Sequence, residues 1–326
     1  MKDLVGEFLE RSGLGRPLRM QALAGGVSSD IWRAELADRV VCVKRALPRL
    51  RVAQLWEAPI ERNRYERQWL QLAREALASS APEVLAWDDA GGLFAMECLE
   101  YPVWKAVLRE GKADPAFAAR VGVALGSIHA STAGRREVAE RFATDAIFHA
   151  IRLEPYLLAT AARHPDLPVL RALAERTAAT RRCLVHGDVS PKNILVGGEG
   201  PAPFPIFLDA ECAWYGDPAF DLAFCLNHLL LKCIWVPGAR TGFLQCFDAL
   251  AAGYLSIVDW EPAAAVEERT ATLLPGLLLA RVDGKSPVEY LDAHGQHFVR
   301  DAARRLLAEP KSTLSALRER WQESLT

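Results

Sequence analysis

The segment Leu184–Val196, LVHGDVSPKNILV, constrains this chain more than any other stretch. Two short apolar runs enclose a polar loop that carries His186, Asp188 and Asn193. Apolar runs of this length bounded by turn residues predict a strand, a loop and a second strand. Held at both ends, the loop presents a carboxylate and, five residues later, a carboxamide from one fixed place. Aspartate and asparagine are also favoured in turns for backbone reasons alone, so the pair needs further context.

That context follows sixteen residues after Asn193, where PIFLDAECAWYGDPAFDLA runs from a strand into Asp209 and then through Gly216, Asp217 and Pro218 into a helix bearing Asp221. A hydroxyl attacking the terminal phosphate of ATP needs a carboxylate to orient it, oxygen ligands for magnesium and donors to neutralise developing charge. The spacing His-x-Asp-x-x-x-x-Asn supplies the first and part of the second. With Asp209 and the Gly-Asp-Pro segment in register, a plain turn no longer accounts for the pattern. Asp217 and Asp221 read differently: an N-cap and a carboxylate in the first helical turn are what any helix favours, so both are expected to be structural.

His-Gly-Asp-x-x-x-x-Asn, an apolar strand ending in aspartate, and Gly-Asp-Pro-x-x-Asp-Leu-Ala together resemble the aminoglycoside phosphotransferase and choline kinase superfamily, the small-molecule relatives of protein kinases. The resemblance implies an α+β, bilobal, protein-kinase-like fold. Residues 1–99 would form a small antiparallel β N-lobe with one long helix, and residues 100–326 a mainly helical C-lobe. ATP and Mg2+ are the implied cofactors, with Asp188 as catalytic base and Asn193 and Asp209 as metal ligands. On the nucleotide side it implies a phosphate turn at Gly25, Gly26, Ser28 and Ser29, a phosphate-binding Lys44, and Glu66 to hold that lysine, with Glu61 on the same helix as the alternative partner. Backbone groups of Glu97, Cys98 and Leu99 would then meet adenine.

The residues support this order independently. Segments 17–46 read as strands, and 61–77 read as a helix with Tyr65, Trp69, Leu72, Ala73 and Ala76 on one face. EVLAWDDAGGLFAMECLE reads as two strands around Asp88–Gly92. Asp114 and Pro115 are an N-cap and first helical residue, and helices are expected over 115–180 and most of 240–324. Further strands are expected at 183–185, 193–196 and 205–208. His129 is expected to pack rather than do chemistry. DGKSP at 283–287 contains Gly-Lys-Ser, but a Walker loop needs glycine at 279, where leucine stands, so Ser286-Pro287 reads as a helix start instead.

Lysine plus arginine, 39, nearly balances aspartate plus glutamate, 41, so no global field points to nucleic acid or an anionic membrane surface. The seven cysteines are odd in number, form no Cys-x-x-Cys pair and mostly lie in apolar runs, which suggests a reducing cytoplasm. Nothing reads as a signal peptide or a membrane span. Histidines are scattered, which argues against metals other than magnesium. Oligomeric state is left open by the sequence.

For the acceptor, only eleven residues separate Asp209 from Asp221, too few for the activation segment on which protein kinases present peptides. A small hydroxyl-bearing molecule is therefore expected, of sugar or amino-alcohol type. Asp209-Ala-Glu211 is most similar to the methylthioribose kinase branch, and Glu211 is either a further magnesium ligand or a local backbone cap. Trp214, Arg281 and Lys285 are candidates for acceptor contact. Asp259, Glu261, Glu267 and Glu268 would suit a polycationic aminoglycoside, but Arg281, Lys285, Arg300, Arg304 and Arg305 interleave with them and favour a neutral or weakly anionic compound. A non-catalytic nucleotide-binding scaffold is the alternative of another class.

Overall fold

The computed structural model describes residues 2–23, 29–47, 59–198, 200 and 202–325. Helix α1 (Lys2–Arg11) precedes β1 (Arg19–Leu23), β2 (Ser29–Glu35) and β3 (Val40–Ala46); α2 (Arg62–Ala76), β4 (Val84–Asp88) and β5 (Leu93–Glu97) complete the first half. The five strands form one antiparallel sheet in the order β1-β2-β3-β5-β4. Side chains alternate faces along a strand, and β3 uses this directly. Val41 and Val43 pack with Val5, Phe8 and Leu9 of α1 on one face. Lys44, opposite Phe94 in register, points to the other face, where α2 lies.

The helical remainder comprises α3 (Trp104–Arg109), α4 (Pro115–Thr132), α5 (Arg136–Arg141), α6 (Asp145–Phe148), a π-helical stretch at His149–Leu158, α7 (Ala159–Arg163) and α8 (Val169–Ala179). Pro155 lies inside the π-helical stretch, and having no N–H it cannot sustain regular helical bonding there. Then come β6 (Cys183–Val185), β7 (Ile194–Gly197), β8 (Phe204–Phe207) and β9 (Trp214–Gly216), paired β6 with β9 and β7 with β8. Helices α9 (Pro218–Trp235), α10 (Arg240–Leu255), α11 (Ala263–Asp283), α12 (Ala293–Ala308) and α13 (Leu314–Ser324) follow. Helix α9 is mostly apolar, and nearly every residue of it is buried, against α10, α11 and α12 among others. Among the described residues no single helix is long and apolar enough to cross a membrane. Helices α4 and α10 touch backbone to backbone: a Cβ at Gly122 would stand 2.2 Å from the Leu250 carbonyl, and one at Gly253 2.4 Å from that of Ala119.

Two N-caps are found where expected: Asp114 accepts from Phe117 N at 3.0 Å, and Asp217 from Ala219 N at 3.1 Å. One expected helix start is corrected. No helix begins at Ser286-Pro287; α12 starts at Ala293, capped by Asp292 through Gly295 N at 2.8 Å. The oxygens of Ser286 are taken by Arg281 instead, so they are not available as caps. Helix α1 and strand β9 were not anticipated.

Candidate active site

The loop between β6 and β7 is fixed from below by one carboxylate. Asp221, in the first turn of α9 and fully buried, accepts from the backbone N–H groups of His186 at 2.7 Å and Gly187 at 2.8 Å, and from His129 Nε2 at 3.2 Å. His129 in turn meets the Tyr254 hydroxyl at 2.7 Å, so it is a packing residue as expected. His186 Nε2 lies 3.0 Å from the Leu208 carbonyl, which can only accept, so Nε2 carries the proton. Its Nδ1 therefore accepts from Asp188 N at 3.1 Å. Burial keeps this imidazole below its usual pKa despite nearby carboxylates. Gly187 adopts φ +79°, and a Cβ there would stand 2.7 Å from that of Cys212, which explains glycine at this point.

Asp188 is buried and receives Arg152 at 3.0 Å, Lys192 at 3.1 Å and Asn193 Nδ2 at 3.0 Å on one oxygen, Oδ2. Burial raises its pKa, but Arg152 and then Lys192 outweigh that and hold the carboxyl below the ordinary range. Asn193 also donates to the Asp188 carbonyl at 3.0 Å, so the group it can offer a cation is Oδ1. Arg152, on the π-helical stretch, and Lys192 went unrecognised in the sequence. Lys192 had a local signal, four residues from Asp188; Arg152 had none beyond standing in an apolar helix.

On β3, Lys44 Nζ lies 2.7–2.8 Å from Glu66 and pairs with Asp209 Oδ1. Burial disfavours the ammonium, yet Asp209, Glu66 and Glu211 together hold its pKa above the ordinary value. Glu66, rather than exposed Glu61, is thus the partner. Asp209 is the one non-glycine residue among those described with positive φ, +66°, a conformation aspartate tolerates better than most. The strand register leads into it: Leu208 N donates to the Asn193 carbonyl at 2.9 Å, tying β8 to the catalytic loop. Trp69 of α2 meets the His186 ring edge-on at 4.7 Å, so the helix that holds Glu66 also touches this loop.

Other expected residues fall elsewhere. Gly25, Gly26 and Ser28 lie outside the described residues; Ser29 opens β2, buried and paired with Ala46. Glu97 ends β5, with its N–H on the Glu83 carbonyl, and Cys98 Sγ stands 3.1 Å from Cys42 Sγ, both thiols free. Leu99 follows in the connection to α3. Glu211 accepts from buried Arg62 Nε at 3.0 Å, which gives it a protein partner that the sequence had not suggested. Trp214 is corrected as an acceptor contact: it is buried, stacks on Phe148 at 4.2 Å and donates to Asp145. Arg281 lines a cleft beside the catalytic loop that also involves Ser190, Lys192, Lys232, Glu289 and Tyr290. Lys285 instead pairs with Glu154 at 2.6 Å, half-exposed.

Comparison with solved structures agrees with the two-part fold. The microcompartment-associated aminopropanol kinase is 16% identical with a TM-score of 0.54, covering 90% of this chain and 94% of its own. An ethanolamine kinase from Plasmodium vivax is 14% identical, TM-score 0.52, covering 92% and 83%. No curated protein sequence matches the chain. The model of the family described as "Phosphotransferase enzyme family" (APH) matches residues 19–266. With that match spanning most of the sequence, the chain belongs to this family of phosphotransferases.

Proposed function

We propose that this enzyme transfers the γ-phosphoryl group of Mg-ATP to a hydroxyl of a small molecule, with Asp188 as the group that orients the acceptor. The observation that carries the reading is the proximity of two ionic clusters, Lys44–Glu66–Asp209 and Asp188–Asn193, tied together where Leu208 N, next to Asp209, donates to the Asn193 carbonyl. Asp188 stays ionised, because Arg152 and Lys192 hold its proton affinity down. A weak base of this kind aligns a hydroxyl by accepting its hydrogen bond and takes the proton late, once phosphoryl transfer has made the oxygen acidic.

The donor set suits magnesium. Asp209 and the Asn193 amide oxygen are hard ligands few enough to leave positions for phosphate oxygens and water, which is how Mg2+ is commonly held. When bound, the ion supplies charge neutralisation between the outer phosphates. Lys44, kept protonated and aimed by Glu66, would take over a phosphate oxygen when Asp209 turns to the metal. Asp209→Asn is expected to weaken magnesium-dependent ATP binding at least about tenfold; calorimetric titration with and without Mg2+ checks this, and equal affinities would remove Asp209 from the metal site.

The acceptor reading favours a compact compound over a polycationic antibiotic. Two of the four C-lobe carboxylates that might have served a polycation have other partners: Glu261 holds Arg269 at 2.8 Å, and Glu267 accepts from Leu314 N at 2.9 Å at the start of α13. The nucleotide would enter from the β5–α3 connection at Glu97–Leu99. The cytoplasm remains the proposed location, on the seven free thiols.

A further inference from the structure

The cleft beside the catalytic loop is rich in donors that have no partner. Its walls include Lys105, Lys192, Lys232 and Arg281 and one carboxylate among the described residues, Glu289; Lys105 already pairs with Glu289, and Lys192 with Asp188 at 3.1 Å just outside the cleft. Lys232, on the last turn of α9, is 1% exposed and has neither a hydrogen bond nor an ion pair from its Nζ among the described residues. It packs instead over the rings of Tyr290 at 3.8 Å and Trp235 at 4.5 Å. Ser190 Oγ, Arg281 Nε and the Tyr290 hydroxyl line the same cleft, buried and likewise unbonded. Lysine and the guanidinium Nε can only donate.

The two ring faces offset part of the cost of burying this ammonium, but no counter-charge does. A buried cation without a counter-charge is costly, and here burial, with Lys105 and Arg281 adding repulsion, pushes the Lys232 ammonium down to about 7. The aromatic faces that could receive a ligand ammonium are already covered by Lys232. The space, about 30 Å³, is far smaller than the roughly 300–1,000 Å³ of drug-sized ligand sites, so it admits one small group of a ligand rather than a whole one. Ser190 and Lys192 belong to the catalytic loop, so this space adjoins Asp188.

We propose that the phosphoryl acceptor carries an oxyanion, carboxylate or phosphate, besides its reacting hydroxyl, and that Lys232 with Arg281 binds that group. The proposal rests on the kinase reading above and deepens it, setting amino alcohols and aminoglycosides aside. Lys232 is a binding residue here, so its removal should act on KM more than on kcat.

The test has three arms on the full chain. Titration with a non-hydrolysable ATP analogue and Mg2+ tests the kinase reading alone; absence of binding would overturn that reading and this one with it. ADP release is then followed with D-glycerate and glycerol 3-phosphate, which separate carboxylate from phosphate, and with glycerol, ethanolamine and kanamycin as uncharged and cationic counterparts. Turnover or analogue-dependent binding confined to an anionic probe is expected. The third arm is Lys232→Met, which keeps the apolar stem between Trp235 and Tyr290. It should raise KM or Kd for the anionic probe about tenfold or more with a smaller fall in kcat, and raise Tm, since a buried charge is removed. Preferred turnover of glycerol, ethanolamine or kanamycin, binding of neither anion to the analogue-loaded protein, or unaltered anion binding by the variant would each overturn the proposal while leaving the kinase reading standing.

Discussion

Asp188→Asn is expected to lower phosphoryl transfer by about 10²–10⁴-fold, the range for loss of a positioned general base, with magnesium-dependent ATP affinity nearly preserved. Asparagine keeps the shape and one acceptor oxygen facing Arg152, Lys192 and Asn193. Alanine is the poorer probe. Arg152 and Asp188 are both almost fully buried, and truncating one partner of such a pair costs about 3–5 kcal/mol because the other charge is left uncompensated. Steady-state ADP release alongside nucleotide titration separates the two effects. A variant that turns over at the parental rate would take Asp188 out of the mechanism.

The second large effect is on stability. Asp221→Ala removes the acceptor for the His186 and Gly187 N–H groups and for His129, all buried. Two stranded backbone donors and an orphaned imidazole are expected to cost about 3–5 kcal/mol in all. Because those two donors belong to the loop that carries Asp188, activity should fall before global unfolding. Urea unfolding of the variant checks the size; a loss under about 1 kcal/mol would mean that the loop is held mainly by its flanking strands.

Much of this site was readable because its parts sit at fixed spacings in one chain segment. Asp188, Asn193, Asp209 and the Asp217 cap fall within thirty residues, and period-two alternation on β3 places Lys44 opposite the valines that meet α1. Sequence placed Glu66 and Glu61 on one helix; in the structure Glu61 precedes α2, and burial against β3 selects Glu66. What was missed depends on contacts between distant segments. Arg152 reaches Asp188 from an irregular helix, and Arg62 reaches Glu211 from the start of α2. Lys232 stands in a helix that reads simply as apolar core, so its charge carries meaning only once Tyr290 and Arg281 are seen beside it. Trp214 was misread because a three-residue strand such as β9 has no periodic signal, and its partner β6 lies some thirty residues away. Helix α1 did have a signal, Val5, Phe8 and Leu9 at helical spacing, that was passed over.

The most direct measurement of the central claim is phosphorus NMR of the wild-type protein with Mg-ATP and the hydroxyl acceptors named above. The account predicts a phosphomonoester resonance that grows in step with ADP and is lost in Asp188→Asn. Tight Mg-ATP binding with no phosphomonoester from any acceptor, or an equal resonance from the variant, would contradict it.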